Sequence, residues 1–535
     1  MTPAPRPRAR LVAAALGVAL CLLGLYVLTS PGRIDMIDGQ VRYEVARNWL
    51  DRGRPIVLDD TLTPIALTVK TGQGDYAVYS ASPSIAAMPL LLLCRALPGH
   101  REERERFAFA MVGPVFGAAL GGLLVVAYAM LGLTLSRAVA WALVCTLGTL
   151  WWPASTTIFD QNQHAVWLLL ALLLGWQSGR RASLGLAALA GLCGAALVTY
   201  GENYAMVLPL AGMSVGAAPS EGRAGTPQRL RRPIDRATVA RYVVFGATSS
   251  VGLLSLLAFN YVRFGAMFYQ GRYTVFAPAD PLAALVSLLV SPGKGMFPFS
   301  PPVLLALLGG RRLLARAPAL AVAVLAVSVA HLMIIMQLPF FGGDWCWGPR
   351  YLVVLIPLWA LAMPFAAGRV ARVVVLALVS LGVLVQILGQ SLDHHRFFFE
   401  RNLTAHFWAQ DQWFYLRHSQ LLARPAELVA TWRLGAPAHP VAFSPTPRGE
   451  ITYSPLGPPS PLADARWGRQ FSVFYLPRPW PLWIYRLDPP WRPVEPWPLL
   501  ALSVTAIALG TGLTWHTLRR TPGPKPPSES LSGVG

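Results

Sequence analysis

The sequence predicts an all-α protein that crosses a membrane many times, and three observations support this fold class. Of its 535 residues, 54% are hydrophobic and only 13% are charged, whereas a soluble domain usually carries about 25% charged residues. The mean hydropathy is +0.47. Apolar runs long enough to cross a bilayer recur through most of the chain. These features exclude an ordinary soluble enzyme with several domains, which the length alone would suggest.

The first span follows a basic N-terminus and covers residues 11–29. The run is long for a signal peptide, and Val27-Leu28-Thr29 lacks the small residues of a cleavage site, so we predict an uncleaved helix. Further spans are predicted at residues 107–131, 138–153, 163–176, 182–199, 204–218, 242–261, 297–310, 318–338, 350–367, 370–390 and 498–516. The total is about twelve transmembrane helices.

The apolar run Ser84–Leu97 is too short to span comfortably, and the positions of the arginines decide where it lies. If it lies on the outer surface, the arginine-rich links fall on the cytoplasmic side, as the positive-inside rule requires. These links cover residues 137, 180–181, 223–241, 311–316 and 369–372. We therefore predict an outer juxtamembrane helix and two cytoplasmic termini. The net charge of +20 then divides into +17 inside and +3 outside, which explains the basic composition without a nucleic-acid partner.

The predicted domain organisation follows from these spans. Residues 1–390 form a transmembrane body with a first outer loop over 31–106, and residues 391–497 form a small mixed extracytoplasmic segment near the C-terminus. Residues 498–518 are the last transmembrane helix, and 519–535 are a disordered cytoplasmic tail. Four of the five cysteines lie in apolar runs, where a thiol acts as a small hydrophobic group.

Asp38 is the first candidate for chemistry because it lies at the predicted outer end of the first span. It leads into Val41–Leu50, where apolar residues recur at helical spacing. A carboxylate there can act as a general base toward a lipid-borne substrate. The same residue also fits the N-terminal cap of a helix, and the two roles are compatible.

Three more carboxylates, Asp160, Glu202 and Asp344, lie between spans on the same predicted face. Each alone is also what a solvated loop contains. Placing ionisable groups at a membrane boundary costs free energy, and such groups tend to mark functional sites. Because these carboxylates lie on the same predicted face, a functional role is favoured.

Two cations complete the set on that face. Lys294 lies in Ser-Pro-Gly-Lys-Gly, and Arg350 follows Trp-Gly-Pro at the start of a span. Either can bind a phosphate, Arg350 by a bidentate contact, and either can be an interfacial anchor. His331, inside a span, is predicted to be a packing residue, and no metal site is predicted.

The order of these segments resembles the GT-C membrane glycosyltransferases, in particular the branch of protein O-mannosyltransferases and lipid A aminoarabinose transferases. The resemblance rests on a first span, an Asp, a loop helix and a second short outer helix after Tyr79-Ser80-Ala81-Ser82-Pro83. By this alignment Asp38 matches the family's loop Asp, Arg47 matches a later Arg of the same helix, and Asp160 matches an outer carboxylate. Residues 260–265, 291–295 and 347–351 resemble segments of bacterial members.

The resemblance implies an inverting transfer of a sugar from a polyprenyl-phosphate donor to an extracytoplasmic protein, lipid or envelope glycan. It implies a bacterial cytoplasmic membrane as the location and no cofactor. Asp38 and Asp160 are then the catalytic candidates. The substrate-binding candidates are Arg47, Tyr79, Glu202, Lys294, Asp344 and Arg350.

Two departures from the family pattern keep other functions open. Gly39 stands where the family has a Glu, and Ser82-Pro83-Ser84 lacks the family's cation. One alternative is a transporter or flippase of lipid-linked sugars, which would place polar groups near mid-bilayer. The other is a membrane protein of envelope assembly without catalytic activity.

Overall fold

The structure is a computed structural model of the chain. It describes residues 7–34, 37–57, 68–72, 74–98, 101–216, 235–268, 280–338, 341–343, 346–368, 371–394, 397, 416, 419–434, 441–445, 451–455, 480, 482 and 496–519.

The N-terminal half contains eleven of the described α-helices and one antiparallel hairpin. The helices are α1 (Pro7–Thr29), α2 (Ile37–Arg52), α3 (Ser82–Arg95), α4 (Arg101–Ala110), α5 (Val112–Met130), α6 (Leu135–Leu147), α7 (Trp151–Ser155), α8 (Gln161–Arg181), α9 (Leu184–Val198), α10 (Tyr204–Gly212) and α11 (Arg236–Phe264). Strands β1 (Thr68–Thr71) and β2 (Gly74–Ala77) pair with Thr68 opposite Ala77.

The C-terminal half continues the helical pattern. Its α-helices are α12 (Pro281–Val290), α13 (Met296–Phe299), α14 (Leu304–Arg316), α15 (Pro318–Ile335), α16 (Ile356–Ala360), α17 (Arg372–Ser391), α18 (Gln420–Leu434) and α19 (Pro496–Arg519). A second antiparallel hairpin joins β3 (Val441–Pro445) and β4 (Ile451–Pro455). The run Phe471–Tyr475 and the tail 520–535 lie outside the described residues.

Six helices of the described chain are long and apolar enough to cross a membrane. They cover Arg8–Thr29, Arg104–Met130, Arg236–Phe264, Pro318–Ile335, Arg372–Ser391 and Trp497–Arg519. The predicted helical class is confirmed at this level. Several other predicted spans correspond to apolar helices of 10–17 residues, so the count of about twelve stays a prediction.

The first and last helices of the described residues, α1 and α19, lie against each other. A Cβ at Gly510 of α19 would lie 2.5 Å from the Gly17 carbonyl oxygen of α1. Only a residue without a side chain permits this approach, and small residues are the usual means of close helix packing in membranes. Helix α1 also packs on α5, so the N-terminal helix joins the central bundle.

The predicted span 350–367 is not one continuous α-helix. It forms a 3-10 helix (Arg350–Leu355), the short α16 and a second 3-10 helix (Met363–Gly368). The side chains from Leu352 to Leu358 are all buried. Irregular backbone at membrane depth is tolerated where protein surrounds it, and hydropathy cannot distinguish such a segment from a lipid-facing helix.

Helix α3 corresponds to the predicted outer juxtamembrane helix. Ala87 and Leu91 are buried against neighbouring elements, which include α2 and α4. Ile85, Leu92 and Leu93 are 47–69% exposed. An exposed apolar face opposite a packed face is typical of a helix that lies in a membrane interface.

Candidate functional site

A cavity of about 610 Å³ gathers most of the predicted site residues. This volume is in the range of small-molecule binding pockets. The cavity lies between the start of α2, the start of α8, the loop between α9 and α10, and the ends of α11 and α15. Asp38, Tyr79, Asp160, Glu202 and Arg350 all line it. Five residues that are far apart in the sequence therefore meet at one place.

Asp38 lies in the first turn of α2, where the helix dipole stabilises a negative charge. The Tyr79 hydroxyl donates a hydrogen bond of 2.6 Å to its Oδ1. The Arg350 Nη2 lies 4.0 Å from its Oδ2, and the Asp38 side chain stays 15% exposed. A carboxylate that is oriented on one oxygen and reachable from the cavity is suited to accept a proton.

Asp160 is held differently, in a buried ion pair with Arg42. The Arg42 Nη2 lies 2.9 Å from the Asp160 Oδ2, and the guanidinium also lies over the Tyr79 ring at 4.6 Å. Burial acts to raise the pKa of Asp160, but the charge of Arg42, with His164 and Arg350, outweighs burial and holds that pKa well below its usual range. Asp160 is therefore a permanent anion that fixes Arg42 rather than a proton acceptor.

Two histidines also belong to the polar lining of the cavity. The Nε2 of His164 lies 3.5 Å from the Asp160 Oδ2, and its Nδ1 lies 2.9 Å from the Tyr204 hydroxyl. His331 stacks on the Tyr204 ring, and its Nε2 lies 2.9 Å from the Tyr351 carbonyl oxygen. Both rings line the cavity and fix its aromatic side chains.

Glu202 belongs to a third group at the end of α11. It accepts a hydrogen bond of 3.2 Å from the Asn260 amide. Arg263, which is 4% exposed, donates to the carbonyl oxygens of Ala77 at 2.8 Å and Tyr79 at 2.6 Å. Arg263 therefore holds the outer loop in the position from which Tyr79 reaches Asp38.

Arg350 lies between two aromatic rings at the start of the buried 3-10 helix. Its guanidinium is 4.3 Å from the Phe159 ring centroid and 4.9 Å from that of Tyr351. Gly343 (φ +81°) makes this position possible, because a Cβ there would lie 2.5 Å from the Arg350 Cγ. The rings fix the plane of the guanidinium beside Asp38, as oriented phosphate recognition requires.

Lys294 does not line the cavity. Its side chain is fully buried, and Nζ donates to the carbonyl oxygens of Cys346 at 2.8 Å and Gly348 at 3.2 Å. Lys294 therefore holds the loop that carries Arg350. The structure places it in a supporting position, not in contact with a ligand.

Replacing Lys294 with methionine is expected to destabilise the protein by about 1–3 kcal/mol. The buried Cys346 and Gly348 carbonyl oxygens lose a charged donor, and methionine fills most of the space without replacing it. The loss is measured as a fall in Tm in detergent. Lys70→Met, a change of the same type in the outer loop, is the matched control. An unchanged Tm for Lys294→Met would contradict the supporting role.

Two further predicted residues are not part of the cavity. Arg47 projects from the opposite face of α2, nine residues after Asp38, and forms ion pairs with Glu102 at 3.5 Å and Glu105 at 3.9 Å. Asp344 lies outside the described residues.

Three cavity residues were missed by the sequence analysis, namely Arg42, His164 and Arg263. The first two had a signal, because Arg42 follows Asp38 by four residues and His164 follows Asp160 by four. Residues at that spacing share one face of a helix. Arg263 had no such signal, since the two outer-loop carbonyl oxygens to which it donates lie more than 180 residues away.

The cavity lining combines charged and apolar side chains. Beside the charged residues described above, it includes Met206, Leu256, Ile334, Ile335 and Leu338. Met206 is 70% exposed. Within the described part of the chain, no group of three His, Cys, Asp or Glu side chains could hold a metal ion. The arrangement fits an amphiphile with an anionic or polar head.

Comparisons with known proteins give a distant structural likeness only. Neither a protein-family model nor a curated protein matches the sequence. An apo oligosaccharyltransferase of Archaeoglobus fulgidus is similar with 12% identity and a TM-score of 0.39 over 78% of this chain, which spans only 56% of the length of that protein.

The oligosaccharyltransferase AglB of the same organism, solved with an inhibitory peptide and a dolichol-phosphate, is similar with 10% identity and a TM-score of 0.41. The likeness covers 87% of this chain and 77% of AglB. Values this low identify no family. The described residues form a helical structure with six helices long and apolar enough to cross a membrane, and a cavity lined by five of the predicted residues.

Proposed function

We propose that this protein is a membrane glycosyltransferase that transfers a sugar from a polyprenyl-phosphate donor to an acceptor on the outer side of a bacterial cytoplasmic membrane. One observation carries the proposal. Asp38, accessible to the cavity, lies 4.0 Å from the Arg350 guanidinium. A carboxylate that can accept a proton and a cation that can bind a phosphate therefore line one cavity.

The shape of the cavity supports a lipid-linked donor. The charged side chains of the lining suit a sugar and its phosphate, and the apolar side chains, which include the exposed Met206, suit the start of a prenyl chain. The volume of about 610 Å³ accommodates such a head group together with an acceptor hydroxyl.

The reaction is a single displacement with inversion. Asp38 takes the proton of the acceptor hydroxyl while the hydroxyl oxygen bonds to the anomeric carbon, and the bond from that carbon to the phosphate oxygen breaks. The polyprenyl phosphate leaves from the opposite face of the sugar. Arg350 offsets the negative charge that develops on the phosphate, and it needs no reorganisation because its guanidinium is already fixed.

The remaining polar residues position the reactants. Asp160 holds Arg42 in the cavity wall, and Arg42 adds positive charge there. Glu202 and Asn260, which bond each other, offer hydrogen-bond groups to sugar hydroxyls. Tyr79 fixes one oxygen of Asp38, so the other oxygen faces the acceptor.

The proposal is tested with purified protein in proteoliposomes that contain polyprenyl phosphates bearing a hexose or a pentose. We expect one donor class to be consumed, with release of polyprenyl phosphate, when a cell-envelope extract supplies acceptors. Asp280→Asn is the matched control, because Asp280 caps α12 outside the cavity and asparagine caps equally well. If no donor is consumed, a transporter or an assembly protein becomes the better explanation.

Replacing Arg350 with lysine is expected to lower kcat/KM for the donor by a factor of about 10–100. Lysine keeps the charge but loses the planar contact with the two rings and the bidentate geometry. The donor dependence of the initial rate measures the effect. Arg47→Lys, on the far face of α2, is the control and should keep the wild-type value. An unchanged donor dependence in Arg350→Lys would remove Arg350 from donor binding.

A further inference from the structure

A second cavity, of about 770 Å³, lies among the ends of other helices. It is formed by the link between α5 and α6, the end of α14, and the second 3-10 helix of the buried segment. The described residues that line it include three charged ones, and all three are arginines: Arg137, Arg312 and Arg316. The described lining therefore carries positive charge alone.

Two of the three arginines, Arg312 and Arg316, donate to backbone carbonyl oxygens at the cavity. Arg312 donates to the Phe365 carbonyl oxygen at 2.8 Å, and the Arg316 guanidinium lies 5.6 Å from the Phe365 ring centroid. Gly132 (φ +80°) permits the position of Arg316, because a Cβ there would lie 2.5 Å from its Nη2. Arg137 and Arg316 are exposed. Their remaining donors can serve an anion.

Helices α5 and α15 each have one end beside the candidate site and the other end beside this basic cavity. Helix α5 starts beside the candidate site, where the Gly113 carbonyl oxygen accepts from Asn162, and ends next to Gly132. Helix α15 starts next to Arg316 and ends at Ile335, which lines the candidate site. Helices of 19 and 18 residues are about 27–28 Å long, close to the hydrocarbon thickness of a bilayer.

We propose that the basic cavity binds a phosphate-bearing anion, and that its place at one end of membrane-length helices makes the head group of an anionic phospholipid the natural source. A pocket with several arginines between helix ends at a membrane surface is suited to such head groups. The cavity also opens on the side that the positive-inside pattern assigns to the cytoplasm. This site does not depend on the proposed sugar transfer.

The test uses purified protein in nanodiscs of phosphatidylcholine, with or without phosphatidylglycerol. We expect phosphatidylglycerol to raise the Tm of the wild type, because a ligand that binds only the folded state stabilises it. The variant Arg137→Gln/Arg316→Gln removes two exposed cations and should bind phosphatidylglycerol about thirtyfold more weakly. The control variant is Arg180→Gln/Arg236→Gln. Its two exposed arginines lie at the end of α8 and at the start of α11, which are the helix ends away from the candidate site.

A second arm distinguishes the source of the phosphate. Inorganic phosphate and glycerol 3-phosphate are titrated into protein in neutral detergent. A Tm rise with the lipid and not with the soluble anions supports the lipid head group, and the reverse supports a soluble phosphate at the same arginines. Equal loss of lipid stabilisation in both double variants would show a diffuse basic surface and overturn the proposal. No stabilisation of the wild type by any of these anions would overturn it as well.

Discussion

Asp38→Asn is expected to lower the rate of sugar transfer by a factor of about 10²–10⁴, the usual contribution of a general base. Asparagine keeps the shape of the side chain and still accepts the hydrogen bond from Tyr79, so the Tm should change little. The measurement is single-turnover transfer with the donor that the wild type consumes. A loss of rate without a loss of stability assigns the effect to proton transfer.

Tyr79→Phe distinguishes the loss of the base itself from the loss of its orientation. It removes the 2.6 Å hydrogen bond to Asp38 but leaves the carboxylate, so we expect a smaller loss of rate than in Asp38→Asn. If Asp38→Asn transferred sugar at the wild-type rate, Asp38 could not be the base.

The second large effect is expected for the buried pair of Arg42 and Asp160. Removal of one member of a buried ion pair leaves the other charge without its partner and costs about 3–5 kcal/mol. Arg42→Gln should therefore lower the Tm by about 3–4 °C in a chain of 535 residues. Thermal unfolding in detergent, followed by tryptophan fluorescence, measures the change.

The control for this prediction is Arg47→Gln, on the same helix but with a side chain that is 36% exposed. Its ion pairs should contribute no more than about 1 kcal/mol. Because the pKa of Asp160 is depressed in the folded state, the stabilisation by the pair is complete above about pH 4 and is lost as the pH falls further. Equal Tm values for Arg42→Gln and the wild type would contradict the buried pair.

The sequence predicts where helical segments lie along the chain better than whether each one is a continuous α-helix. Apolar length correctly places α15 and α17, and the short apolar run Ser84–Leu97 overlaps the short helix α3. The outer position of that helix stays a prediction. The span 350–367 is irregular because it is buried, and burial depends on neighbours far away in the sequence. Hydropathy responds equally to a lipid environment and to a protein interior.

The candidate site could be predicted in part. Asp38, Asp160, Glu202 and Arg350 share a sequence signal, because each is a charged residue at the predicted outer boundary. The family alignment favoured Arg47, whereas helical spacing favours Arg42. The direction of the Lys294 side chain cannot be predicted from the sequence, because it depends on the loop around Cys346.

Gly39 lies where the turn that carries Asp38 packs directly against the residues before Asp160. A Cβ at this position would collide with the Cδ1 end of the Ile158 side chain. A larger residue there therefore requires the Ile158 side chain to move.

The buried segment that begins at Arg350 has a consequence for the whole molecule. Its first residue lines the candidate site, and Phe365 near its other end lines the basic cavity. One packed element therefore forms part of two sites on opposite sides of the bundle. If an anion in the basic cavity changes the affinity of the candidate site for a ligand, thermodynamic linkage requires that this ligand changes the affinity for the anion by the same factor.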